Sequence, residues 1–160
     1  MEKTIRSKRQ KKIGNSSQKE KVKERKVQVE KKEDKKRWGS KEATMERVRV
    51  VDTIGSEKDS FYNTDEILII IEYKTICKIE DAVIGIAIYR DDQTYIYGSN
   101  TLIDYSEPTE LKSSGIIQLK IHNLPVVAGN YTIDLAFHKP DGFNYDFWRD
   151  VYKIQLTNPI

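Results

Sequence analysis

Cysteine and histidine are scarce in this sequence, and their scarcity excludes several kinds of chemistry. Cys77 is the one cysteine among 160 residues, and His122 and His138 are the two histidines. One cysteine cannot form an intramolecular disulfide, and two isolated histidines do not have the ligand spacing of a metal site. We therefore expect no metal and no cofactor, and we interpret Cys77 as a small hydrophobe buried in or near a strand.

Motifs for nucleotide hydrolysis and nucleophilic catalysis are also missing. The sequence contains neither the phosphate-binding string G-x-x-x-x-G-K-[ST] nor the nucleophile elbow G-x-S-x-G. Carboxylates are plentiful, but their spacing places no pair at the separation that glycoside hydrolysis requires. We predict that the chain is not an enzyme and that these carboxylates form a solvated rim, with a glycosidase as the catalytic alternative. The acidic candidates are Asp104, Glu107, Asp134, Asp141, Asp146 and Asp150.

Long apolar stretches are absent as well. No run of 18 or more apolar residues occurs, and the N-terminus has no apolar stretch of the kind found in a signal peptide. We therefore expect a soluble protein of the cytoplasm.

Charge is distributed unevenly along the chain. Residues 1–37 contain 16 Lys and Arg against 6 Asp and Glu, whereas residues 38–160 contain 12 against 19. The first segment has no aromatic residue and six aliphatic or Met side chains, too few to offset the entropy of ordering it. We predict a disordered basic linker over 1–37 and a single domain over 38–160. Interleaved acidic residues favour a solvated linker over a basic arm for nucleic acid or lipid, and the acidic domain argues against a nucleic-acid partner.

Short β-branched and aromatic runs recur after residue 42, separated by polar turn clusters. Helical periodicity is nearly absent there, and this spacing is typical of an antiparallel sandwich or barrel. The turn signals include an Asp-Asp pair at 91–92 and the string Pro140-Asp141-Gly142. We predict an all-β fold with strands over 43–52, 66–74, 83–90, 94–100, 115–122, 130–138 and 148–156.

Alternation within these runs predicts which side chains are buried. In the run 83–90, Ile residues alternate with Gly85, Ala87 and Tyr89, so a bulky face lies opposite a small one that leaves room for a ligand. The run 66–74 is apolar on both phases, which indicates a central strand or a partner interface. The predicted buried set is Val48, Val50, Ile69, Ile71, Ile84, Ile86, Ile88, Ile117, Leu119, Ile133, Leu135, Phe137 and Ile154.

Five strings in this sequence form an ordered pattern. After the charged linker comes Arg-Trp-Gly-Ser at 37–40, and the later strings are GIAIYR at 85–90, YGSNT at 97–101, LPVVAGNY at 124–131 and AFH at 136–138. Together they resemble the C-terminal domain of Wzt-type polysaccharide ABC transporter ATP-binding proteins. The resemblance covers about residues 37–157. It implies an immunoglobulin-like antiparallel β-sandwich that binds an O-antigen-type polysaccharide, partners with the transporter ATPase and permease, and forms a homodimer.

The resemblance and the aromatic residues together predict a carbohydrate-binding site. Aromatic faces stack on the C–H surfaces of sugars, and Asn, Asp and Tyr groups satisfy their hydroxyls. The alternative is a structural or dimerisation module that docks on a transporter without binding sugar. The ATPase domain that precedes the linker in this family does not occur in the sequence. The predicted carbohydrate-binding residues are Tyr95, Tyr97, Asn100, Thr101, Asp104, His138, Tyr145 and Trp148.

Overall fold

A computed structural model describes residues 36–160 of the protein. These residues form one compact unit, Lys36–Ile160. The predicted disordered linker falls almost wholly outside the described residues and stays a prediction. Arg37, which we assigned to that linker, lies in the first strand of the folded part.

Ten strands and one short helix make up the described chain, and all seven predicted strands are present. The additional elements are the three short strands β1, β3 and β7 and the helix α1. In chain order the elements are β1 (Arg37–Trp38), β2 (Ala43–Val51), β3 (Ser60–Tyr62), β4 (Ile67–Thr75), β5 (Ile79–Arg90), β6 (Tyr95–Asn100), α1 (Thr101–Tyr105), β7 (Thr109–Leu111), β8 (Ser114–Ile121), β9 (Gly129–His138) and β10 (Asn144–Thr157).

The strands form two sheets that pack as a sandwich, so the predicted all-β fold is confirmed. The larger sheet has seven strands in the order β1-β10-β9-β5-β6, with β3 parallel to β10 and β7 beside β5. The smaller sheet has the order β2-β4-β8. The largest buried side chains come from both sheets, because each strand turns one face inward.

Most of the predicted core is buried, and the exceptions lie on or beside sheet edges. Val48, Ile86, Ile117 and Leu119 are half-buried instead, and the other nine predicted residues are buried. β2 and β8 are edge strands of the smaller sheet and β5 adjoins the edge strand β6, so these side chains have fewer neighbours. β4 is the central strand of its sheet, one of the two placements that its apolar pattern indicated.

Cys77 does not occupy the buried position that we predicted for it. It lies in the turn between β4 and β5 and is exposed, with its Sγ 3.5 Å from a carboxylate oxygen of Glu42. The turn leaves the sheet before β5 begins, so the side chain has no core to enter.

Both turns indicated by the turn signals in the sequence are present. In the turn after β5, the residue with positive φ is Gln93 (71°), and its N–H donates to the Arg90 carbonyl oxygen at 2.9 Å. In the turn after β9, Gly142 has φ 91° and its N–H donates to the Lys139 carbonyl oxygen. Glycine suits the second turn because an L side chain is strained at that φ.

A buried carboxylate ties β1 to β10. Asp146 is fully buried and accepts hydrogen bonds from Arg37 Nε and Nη2, from Lys41 Nζ at 2.6 Å and from the Met45 N–H at 2.9 Å. We call Asp146 with Arg37, Lys41 and the Met45 N–H the Asp146 clamp. Burial raises the pKa of Asp146, but the hydrogen bonds from Arg37, Lys41 and Met45 outweigh it and hold that pKa below its ordinary value.

Candidate functional site

The outer face of the larger sheet has a floor of small residues. Gly85 pairs with Ala136 on β9, and Ala87 pairs with Gly98 on β6. Because no bulky side chain rises from these positions, a cavity of about 430 Å³ opens above the sheet. This outer-face pocket is lined by Trp38, Gly85, Ile86, Ala87, Tyr95, Gly98, Ser99, Asn100, Ile103, Asp134, Leu135, Ala136, His138, Gly142, Asn144 and Phe147.

Aromatic and apolar side chains form the walls of the outer-face pocket. On one side Trp38 and Phe147 stack with ring centroids 4.3 Å apart and planes within 11°. On the other side Tyr95 and Ile103 are 59% and 70% exposed. Large apolar surfaces that face solvent across a shallow cavity are suited to covering the apolar face of a ligand.

Asn100 and His138 reach the pocket from the ends of two strands. Asn100 ends β6 and its Oδ1 accepts from the Ile103 N–H at 2.9 Å, which leaves its Nδ2 amide free to donate. His138 ends β9, and its Nδ1 lies 2.7 Å from the Lys139 carbonyl oxygen. Both side chains lie over Gly85, where an added Cβ would come within 3.5 Å of His138 Nε2 and 3.8 Å of Asn100 Cβ.

Asp134 is a buried acidic residue at the inner end of the pocket. It is 4% exposed, and its Oδ1 accepts from the Asp150 N–H at 2.8 Å. Burial raises the pKa of Asp134, and the hydrogen bond from Asp150 only partly offsets this effect. Asp134 thus keeps a carboxylate in surroundings that disfavour its charge.

The predicted site residues are divided between two neighbouring cavities. Tyr95, Asn100 and His138 line the outer-face pocket. Tyr97, Thr101 and Asp104 line a second cavity of about 380 Å³, the edge groove, which lies between β6 with α1 and the edge strand β8. Asn100 lines both cavities. The remaining edge-groove residues are Ile84, Ile86, Ser99, Tyr105, Gln118, Leu119, Lys120, Ile121 and His122.

Two of the edge-groove residues also hold the local backbone. Thr101 Oγ1 accepts from the Ile84 N–H at 3.0 Å, and Asp104 accepts from the Ser99 hydroxyl at 3.2 Å. These bonds fix the turn from β6 into α1, so the two side chains are structural as well as accessible.

Tyr145 and Trp148 lie in neither cavity. Tyr145 is a buried core residue whose hydroxyl donates to Asp81, and burial together with Asp81 raises its pKa. Trp148 pairs with Leu135 and packs against the core, with the Arg37 guanidinium 4.0 Å from its ring centroid. Each belongs to the packing beneath the pocket.

Sequence reasoning missed Trp38, Phe147, Asp134 and Asn144 as pocket residues. The alternation of side chains along β9 places Asp134 on the same face as Ala136 and His138, and this pattern could have identified Asp134 as a pocket residue. Trp38 and Phe147 meet only because β1 pairs with β10, which local sequence does not reveal.

Comparison with known proteins identifies the family. The sequence pattern of the Wzt C-terminal domain matches residues 34–159. The chain belongs to the Wzt C-terminal domain family. Wzt proteins are components of ABC transporters, and the Wzt C-terminal domain is a non-catalytic transporter domain. Comparison with curated protein sequences finds no significant match.

Solved structures agree on the fold. The crystal structure of the C-terminal domain of Wzt superposes with a TM-score of 0.70 at 15% identity, covering 78% of each chain. A Niemann-Pick type C2 protein from the Japanese carpenter ant superposes with a TM-score of 0.52 at 10% identity, covering 74% of this chain and 96% of that one. At such identities the similarity shows the sandwich fold of a Wzt C-terminal domain.

Residues 36–160 contain neither a cluster of metal-binding side chains nor a membrane-spanning helix. No cluster of three or more His, Cys, Asp or Glu side chains in this range has the arrangement of a metal site. No helix in the same range is long and apolar enough to cross a membrane.

Proposed function

We propose that this Wzt C-terminal domain is a non-catalytic carbohydrate-binding module that recognises a cell-surface polysaccharide of the O-antigen type for export by an ABC transporter. The observation that carries the proposal is the outer-face pocket, in which Trp38, Phe147 and Tyr95 surround a glycine and alanine floor. A sugar ring has an apolar C–H face and a rim of hydroxyls, and this pocket offers apolar walls with Asn100 and His138 at its end.

The edge groove extends the proposed site to a chain of several sugars. Asn100 lines both cavities, so a polysaccharide that fills the outer-face pocket and crosses β6 reaches Tyr97, Thr101 and Asp104. This arrangement suits a polymer better than a single small molecule.

Partners and location follow from the family under this proposal. The domain acts beside the ATPase and permease of its transporter, at the inner face of the cytoplasmic membrane, and as a homodimer. Export requires that the glycan is read before it crosses, which favours the cytoplasmic side.

A structural module that docks on a transporter or dimerises without binding sugar is the second candidate. The observation that favours it is the edge strand β8, whose Ile116 is 66% exposed. An unpaired strand edge with apolar side chains is a template for pairing with another chain.

Matched tyrosine substitutions test the proposal. Tyr95 and Tyr62 are exposed to similar extents, 59% and 51%, but Tyr62 lies on β3 at the other end of β10. We expect Tyr95→Ala to weaken binding to the polysaccharide of the producing organism by about 5- to 150-fold, the scale of lost aromatic stacking, while Tyr62→Ala leaves it unchanged. Binding is measured by calorimetry on purified polysaccharide.

If the two variants bind the polysaccharide with equal affinity, the outer-face pocket is not the binding site. If the wild-type protein binds no surface polysaccharide, and Ile116→Lys abolishes dimerisation and export, the structural module is the correct function.

A further inference from the structure

The polar side chains of the outer-face pocket differ in whether they donate or accept hydrogen bonds, and this difference limits which ligands can bind. The inference rests on the proposed function. We propose that the pocket selects a sugar residue with two free hydroxyls, one of which donates to Asp134 and the other to His138 Nε2. Sugars whose hydroxyls at these two positions carry O-alkyl or O-acyl groups are rejected.

His138 is held in one tautomer by its neighbour in the chain. The Lys139 carbonyl oxygen lies 2.7 Å from Nδ1, and a carbonyl oxygen can only accept, so Nδ1 carries the hydrogen. In the neutral imidazole Nε2 then has a lone pair and no hydrogen. Since Nε2 lies over Gly85 on the pocket floor, the ring offers an acceptor to the ligand.

Asp134 supplies a second acceptor. One carboxylate oxygen, Oδ1, accepts from the Asp150 N–H, and within residues 36–160 the other oxygen, Oδ2, makes no hydrogen bond to protein. The side chain is more than nine-tenths buried and lines the pocket. Oδ2 is not fully shut off from solvent, so a ligand hydroxyl in the pocket can reach it and donate to it.

Asn100 adds a donor to these two acceptors. It uses its Oδ1 to cap α1, so the group that it presents is the Nδ2 amide. An amide donor fits the ring oxygen of a sugar or a glycosidic oxygen, which can only accept. Asn100 therefore complements the two acceptors above the small-residue floor.

The first experiment compares classes of glycan. The wild-type protein is applied to an array that carries bacterial polysaccharides and the same backbones with O-methyl or O-acetyl groups. We expect binding to the unsubstituted glycans. Binding only to fully O-substituted glycans overturns this inference and leaves the proposed function standing, whereas binding to none overturns the proposed function itself.

The second experiment changes the two acceptors. Asp134→Asn keeps an oxygen for the Asp150 N–H and removes the free carboxylate oxygen, so we expect a 10- to 100-fold loss of affinity for the best array glycan. Because burial of this carboxylate opposes its charge, the variant keeps or gains thermal stability. Asp91→Asn, at an exposed turn carboxylate, is the control.

His138 is tested by two replacements that differ in acceptor capacity. His138→Phe removes both ring nitrogens and is expected to lower affinity about tenfold, whereas His138→Gln keeps an acceptor oxygen and recovers part of the loss. A Phe variant that binds as tightly as wild type, or an Asp134→Asn variant with unchanged affinity, overturns the assignment of these acceptors.

Discussion

Removing the charge of Asp146 is expected to loosen the attachment of β1 to the sandwich. In Asp146→Asn, one of the two side-chain oxygens becomes an NH₂ group that faces donors, so either Arg37 Nη2 and the Met45 N–H or Arg37 Nε and Lys41 Nζ lose an acceptor. A hydrogen bond to a charged group contributes about 1.5–3 kcal/mol. Arg37 and Lys41 are 31% and 42% exposed and can be rehydrated, so the loss is smaller than the sum of the bonds.

We expect Asp146→Asn to lower the free energy of unfolding by about 3 kcal/mol, in the range measured when one partner of a buried ion pair is removed. At this domain size the melting temperature falls by about 10 °C. Urea denaturation followed by tryptophan fluorescence suits the measurement, because Trp38 and Trp148 both lie next to the clamp. Asp91→Asn, an exposed carboxylate in a turn, is the control.

The pH dependence supplies a second check on the same variant. The pKa of Asp146 in the folded protein is below its ordinary value of 3.8, so the carboxylate stabilises the fold fully at neutral pH. This stabilisation is lost as pH falls below the ordinary value and through the folded pKa. The difference between wild type and Asp146→Asn therefore shrinks at pH 3, and a difference below about 1 kcal/mol at pH 7 would refute the reasoning.

Two further substitutions test the backbone and the edge groove. Gly39 has φ 141° and an added Cβ would lie 2.3 Å from the Tyr145 carbonyl oxygen, whereas Gly55 has φ 87° with open space around it. We expect Gly39→Ala to destabilise the protein by at least about 2 kcal/mol more than Gly55→Ala in urea denaturation, and equal losses would contradict the clash. Tyr97→Ala is expected to weaken binding of the polysaccharide by roughly 1–3 kcal/mol. The melting temperature of this variant and its affinity for a methyl glycoside of one sugar should equal those of the wild type. Unfolding of that variant would show that Tyr97 is structural instead.

Periodicity predicted the long strands because each has one inward face. In β9, for example, Ile133, Leu135 and Phe137 alternate with Asp134 and Ala136, and this pattern alone defines the strand. The strands β1, β3 and β7 have two or three residues, too few for an alternation to be visible. Their existence depends on neighbours that are distant in sequence.

The division of the predicted site between two cavities has a similar origin. Strict alternation places Tyr95 and Tyr97 on one face of β6, but the pairing of β6 with β5 shifts between Ile88 and Tyr89. This irregularity inserts one residue and turns Tyr95 to the outer face, while Tyr97 faces the edge groove. Bulges of this kind depend on the partner strand and the turn, and the sequence of β6 alone does not reveal them.

Trp38 is both a wall of the outer-face pocket and almost the first residue of the described fold. If the proposed function is correct, a ligand that packs against its ring strengthens the attachment of β1 to β10, which rests on two residue pairs and the Asp146 clamp. By reciprocity, tension on the chain that enters the sandwich at Lys36 then weakens the same wall and lowers the affinity for the ligand. Under this proposal, the anchoring of β1 and the binding of the ligand share a single equilibrium.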